Sequence, residues 1–179
     1  MELVICKWAG LLLVLSACSG FGLWLSWQWK ERLKLLESLR LMIYFLKGEI
    51  TYSRAPLEEA LERVGRRQCG ALGILFEKAA ERIGKKEGEN FRQIWEEEVR
   101  RAFEQGLSGI LTEEDEGQLS SLGESLGYLD VEMQERALLL YLEQLDLTIS
   151  YLREHLREKC RLYASLGTAG GMFLVLIMF

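Results

Sequence analysis

Two uncharged apolar runs, one at each end, set the terms on which this chain can fold. Trp8 to Trp29 holds no charged residue, and neither does Leu162 to Phe179. Every Lys, Arg, Asp and Glu except Glu2 and Lys7 lies between Lys30 and Arg161. At about 1.5 Å of helix rise per residue, the runs reach roughly 33 Å and 27 Å. The hydrocarbon core of a bilayer is about 30 Å thick. The expected organisation is an N-terminal transmembrane helix over 1–29, a polar domain over 30–161 and a C-terminal transmembrane helix over 162–179.

Flanking charge orients such a chain. Lys30, Arg32 and Lys34 follow the first run, and Arg153, Arg157, Lys159 and Arg161 precede the last. Outside the runs stand only Glu2 and Lys7. The positive-inside rule therefore predicts a cytoplasmic domain with both termini extracytoplasmic. Trp8, Trp24, Trp27 and Trp29 fit interfacial belts. The alternative is an exported lipoprotein with a helical interaction domain, because Leu15-Ser16-Ala17-Cys18 reads as a lipobox with Cys18 as the acylated residue. Two features oppose it. Lys7 is offset by Glu2, and the apolar run continues through Phe21, Leu23, Trp24 and Leu25, where a lipoprotein carries a polar tether.

The middle segment is long enough for one domain. It contains the chain's single proline, Pro56, and no strand-like alternation. Leu, Glu, Arg and Ala dominate, so the predicted class is all-α, an antiparallel bundle of about six helices. The first polar helix, Lys30 to Ser53, carries Leu36, Leu39, Ile43, Leu46 and Ile50 at steps of three and four. Pro56 begins a short second helix to Arg66, with Ala55 held out of the helical region before it. A third runs from Cys69 to Gly84 and a turn follows through Gly88. A fourth, Phe91 to Gln105, is capped by Asn90, with i,i+4 pairs Glu96–Arg100 and Glu97–Arg101. Thr112 caps a fifth that Gly127 ends. Asp130 opens the longest, Val131 to Arg161, whose seam is Leu138, Leu142, Leu145, Ile149, Leu152 and Leu156. The two seamed helices are expected to pack antiparallel as a stalk.

No pattern for catalysis is legible. There is no phosphate-binding G-x-x-x-x-G-K-[ST]. Cys69 and Cys160 are far apart, no C-x-x-C occurs, and His155 is the only histidine, so no zinc site, metal cluster or Ser-His-Asp triad is expected. No cofactor is predicted, and the carboxylates are expected on solvated faces. Charge is unevenly spread. Between Glu104 and Asp146 there are eleven acids (104, 113, 114, 115, 116, 124, 130, 132, 135, 143 and 146) against Arg136 alone. This disfavours nucleic acid and suits a basic protein surface, with Glu113, Glu114 and Glu116 as candidate contacts. Gly167 and Gly171 form a G-x-x-x-G in the last run, and Ser16 and Gly20 are similarly spaced in the first. Such spacings let membrane helices approach closely and predict oligomerisation through them.

Several short stretches stand in one order: Leu39-Arg40, then Glu49-Ile50-Thr51-Tyr52 with Pro56-Leu57 and Ala60. Trp95-Glu96 follows, then Leu122-Gly123-Glu124-Ser125-Leu126-Gly127, and finally Ser165-Leu166-Gly167. With two apolar ends, this layout resembles the stage III sporulation protein AB family over essentially the full chain. The resemblance implies a non-enzymatic platform or adaptor in the channel complex between mother cell and forespore. Its polar domain would resemble the cytoplasmic domain of the inner-membrane platform protein of type II secretion and type IV pilus systems. Implied partners are a secretion-type ATPase, stage III sporulation protein AA, and other stage III channel subunits. The implied location is the mother-cell membrane around the forespore. No catalytic residue is carried over. Glu49, Tyr52, Pro56 and Leu57, with Gly123, Glu124 and Gly127, match the family pattern and are candidate interaction positions.

Overall fold

The computed structural model describes the backbone of residues 2–85, 90–127 and 130–178. Among these there are six α-helices, one 3-10 turn and no strand. The helices are α1 (Glu2–Thr51), α2 (Leu57–Arg67), α3 (Ala71–Gly84), α4 (Phe91–Glu104), α5 (Glu113–Leu126) and α6 (Val131–Met178), with the 3-10 turn at Leu107–Gly109 between α4 and α5. The chain divides into two compact units, one of Lys34–Ile149 and one combining Met1–Leu33 with Ser150–Phe179.

The Lys34–Ile149 unit is a helical bundle. In α1 the seam Leu36, Leu39, Ile43, Leu46 and Ile50 is buried throughout, joined by Met42. In α6 Leu138, Leu142, Leu145 and Ile149 are buried, joined by Tyr141. A side chain such as Leu145 gains roughly 1.5–3 kcal/mol from leaving water, so two seams of this length are a large share of the stability. Two ion pairs fix the direction of the α1 and α6 segments: Arg40 reaches Asp146, and Lys47 reaches Glu135 at 3.6 Å. The partner numbers fall as the α1 numbers rise, so the helices run antiparallel, as the seams predict.

The shorter helices complete the core with Leu61, Val64, Leu75, Phe76, Trp95, Val99, Phe103, Leu119 and Leu126. Glycine allows a close approach between α2 and α3. A Cβ on Gly65 would stand 2.7 Å from Glu77 Cγ and 2.9 Å from the Gly73 carbonyl oxygen. The α2–α3 corner turns at Gly70, whose φ of 105° is left-handed backbone that other residues adopt at a cost.

Helix ends differ from the sequence reading where the backbone leaves helical geometry early. α1 stops at Thr51 rather than Ser53, and Arg54 has a φ of 47°. Pro56 stands just before α2 with φ −53° and ψ 147°, rather than within its first turn. α3 begins at Ala71 rather than Cys69, because Gly70 is left-handed. Gly127 does end α5, but in right-handed backbone at φ −69°, so its glycine freedom is unused there. The turn expected through Gly88 lies largely outside the described residues.

In the Met1–Leu33 and Ser150–Phe179 unit the described backbone is helical. Leu152 is buried and Leu156 half-buried. Among the described residues no helix is long and apolar enough to cross a membrane. Most side chains of 1–29 and 162–179 lie outside the described residues. The membrane-helix expectation, acylation at Cys18 and packing at Gly167 and Gly171 rest on those side chains.

Candidate interaction surface

The α1–α2 corner gathers the first group of candidate residues. Glu49 is buried, and its carboxylate accepts from Arg63 Nη1 at 2.8 Å and Arg67 Nη2 at 3.2 Å. Arg67 also lies over the Phe45 ring, 5.2 Å from its centre. The hydrogen bond to Glu49 and the pairing with Glu59 raise the Arg63 pKa further above its ordinary value. Glu49 is thus a joint between α1 and α2. Its neighbours differ: Tyr52 is 82% exposed, Pro56 is exposed and Leu57 is half-buried. Only Tyr52 and Pro56 in this group present themselves to a partner.

The second group is a packing joint between α4 and α5. Gly123 is buried, and a Cβ there would lie 2.6 Å from Trp95 Cδ1 and 2.9 Å from Trp95 Cγ. Trp95 is fully buried, packs edge-on against Phe76 and donates its ring N–H to the Leu119 carbonyl at 2.7 Å. The Trp95 and Gly123 positions, 28 residues apart in sequence, are two halves of one contact. Glu124 pairs at 2.6 Å with Arg92 of α4, on the surface. Gln134 of α6 donates to the Leu126 carbonyl at 3.0 Å, which satisfies the end of α5.

The acidic half opens at the other end of α5. Thr112 and Asp115 form a reciprocal capping box, so Asp115 is buried and committed to the fold. Glu113 and Glu114 are exposed and Glu116 half-buried in the same first turn, where the helix dipole favours them. Much of the remaining acidic charge is neutralised by the basic half. Asp146 meets Arg40, Glu135 meets Lys47 and Glu124 meets Arg92. Among the described residues Glu113, Glu114 and Glu116 enter none of these pairs. They sit about 12–16 Å along the helix from Glu124, so the acidic turn and the Gly123 joint are separate places.

The expectation that the carboxylates lie on solvated faces fails at Glu98. It is 2% exposed and lies between Arg82 of α3 at 3.0 Å and Arg101 of its own helix. Arg82 also binds Glu97 at 2.9 Å, and this hydrogen bond holds the Glu97 carboxyl below the usual carboxylate range. The signal was present in the spacing: Ile94, Trp95, Glu98, Val99 and Ala102 form one buried stripe. Glu96 takes Arg92 at 2.8 Å, rather than the Arg100 expected from i,i+4 order, whereas Glu97 does reach Arg101 at 3.7 Å. Among the described residues no group of His, Cys, Asp and Glu has the arrangement to hold a metal ion.

These features define the class: a small all-α bundle whose marked residues are mostly joints between helices, with exposed positions at Tyr52 and at the acidic start of α5. Comparison with known proteins narrows the class. The pattern of the family described as "Stage III sporulation protein AB" matches residues 7–179. The chain belongs to the stage III sporulation protein AB family. It is 23% identical over 172 residues to stage III sporulation protein AB of Bacillus subtilis (strain 168), covering 96% of this chain and 98% of that one. A solved structure of a stage III sporulation protein AB matches with a TM-score of 0.61 and 21% identity. That likeness covers 70% of this chain and 96% of the other, and shows that the fold is shared.

Proposed function

We propose that this sporulation protein is a membrane platform of the channel complex between mother cell and forespore, coupling a cytoplasmic secretion-type ATPase to the channel. The observation that carries the reading is membership of the stage III sporulation protein AB family over residues 7–179. The chain would be anchored by helices over 1–29 and 162–179, with 30–161 in the cytoplasm. Uncharged apolar runs with Lys and Arg on their inner flanks support this topology. The partners would be stage III sporulation protein AA and the other stage III channel subunits. The domain would work by binding, without catalysing a reaction.

The exposed acids at the start of α5 are the proposed contact with a basic surface of the ATPase. Charges of this kind speed docking more than they tighten it, and salt screens them over about 8 Å at physiological strength. Binding of the full chain to the purified ATPase should therefore weaken as salt rises. Reversal of Glu113, Glu114 and Glu116 to Lys should slow association while leaving the helical circular dichroism intact. Salt-independent binding, unchanged by the reversal, would remove the acidic turn from the contact. No binding at all would remove the ATPase from the list of direct partners.

A further inference from the structure

Where α6 passes from its charged to its uncharged part, an open cavity of about 460 Å³ is lined by Glu158, Arg161, Leu162 and Ser165. Arg161 is the last charged residue of the chain. At 3.6 residues per turn these four positions fall within about 100° of one helix face. All four are exposed. The Ser165 hydroxyl donates to the Leu162 carbonyl at 2.9 Å, so the charged chemistry of this lining comes from Glu158 and Arg161. Many exposed charges of this chain are taken up in its own ion pairs, as at Arg40–Asp146 and Arg92–Glu124. The side chains of Glu158 and Arg161 enter no ion pair or hydrogen bond among the described residues.

Along the helix these groups stand in the order of a phospholipid read from acyl chain to headgroup. In the proposed topology Leu162 and Ser165 lie on the membrane side and Arg161 at the border. Glu158 stands about 4.5 Å further towards the cytoplasm. A guanidinium at the border suits a lipid phosphate, which it can bind through two N–H groups. A carboxylate one turn further out suits a cation, so a headgroup that carries both charges in this order satisfies both side chains. In phosphatidylethanolamine the ammonium follows the phosphate through a two-carbon bridge, and its N–H groups can donate to a carboxylate. Choline has the positive charge but no N–H to donate, and an anionic glycerol headgroup sets negative charge near Glu158 without a compensating cation. We propose that this cavity holds an ethanolamine phospholipid, with its phosphate on Arg161, its ammonium on Glu158 and the start of its acyl chains on Leu162. The site requires the membrane anchoring proposed above for 162–179.

Native mass spectrometry of the full chain, extracted from membranes of expressing cells into mild detergent, tests this. Phosphatidylethanolamine, phosphatidylcholine and phosphatidylglycerol with identical acyl chains are added in turn, and the lipid-bound fraction is counted. The ethanolamine lipid should be retained roughly two- to fivefold more than either of the others, the range that an exposed ion pair supplies. Glu158→Gln should bring it down to the choline level, and Arg161→Gln should lower retention of both. Both positions are exposed, and circular dichroism checks that the variants stay helical. Glu114→Gln on α5 should change nothing. Equal retention of the three lipids, strongest retention of phosphatidylglycerol, or an ethanolamine preference that survives Glu158→Gln would overturn the lipid site alone. A chain that leaves the membrane fraction without detergent would overturn the anchoring reading, and the site with it.

Discussion

Gly123 shows how a short motif can encode packing. Its Cα–H faces the Trp95 ring, and the tryptophan's N–H is satisfied by Leu119, so the ring cannot retreat without losing a buried hydrogen bond. Gly123→Ala should destabilise the bundle by about 1–3 kcal/mol, the usual cost of overpacking a filled core. Urea denaturation of wild type and variant measures it. A stability unchanged or raised by the alanine's better helix propensity would mean that the ring moves aside freely. The sequence marked both Trp95 and Gly123, but a motif read along one chain gives no sign that two of its pieces touch. Glu49 and Glu98 were misjudged for a related reason. Charged residues are rarely buried unless paired, and their pairs come from other helices or from the next turn. The 3-4 spacing of Glu98 within an apolar stripe was the one local clue.

At the level of the helix, the two long seams were the most legible part of the molecule. Regular steps of three and four over five or six positions leave one helical face apolar, and burial follows in both α1 and α6. Leu145 is 1% exposed whereas Glu143, two residues earlier, points to solvent. Leu145→Ala should cost about 2–5 kcal/mol, and Glu143→Ala well under about 1 kcal/mol. Thermal or urea unfolding of the two variants separates them, and equal small losses would contradict the seam. Helix ends were harder to read. Ser53 and Cys69 were placed inside helices that stop or start two residues away, because local backbone geometry at Arg54 and Gly70 decides the ends. Capping side chains were clearer: Asn90 and Thr112 each accept a backbone N–H at the predicted helix start. Each has a specific partner two or three residues away, within reach of a sequence argument.

In the molecule as a whole, a helical bundle of known family lies between two apolar ends. The exposed acids at Glu113 and Glu114, and Tyr52 at the α1–α2 corner, are accessible to cytoplasmic partners only if the bundle lies on the inner side of the membrane. Cys69 reports on that directly, since it is exposed at the α2–α3 corner. A chain in which Cys69 is the sole cysteine, with Cys6, Cys18 and Cys160 changed to Ser, is treated in intact cells with a membrane-impermeant maleimide. In the proposed topology Cys69 stays unlabelled until the membrane is permeabilised, and is then labelled fully. Full labelling of Cys69 in intact cells would contradict the cytoplasmic platform and return the chain to the exported lipoprotein alternative.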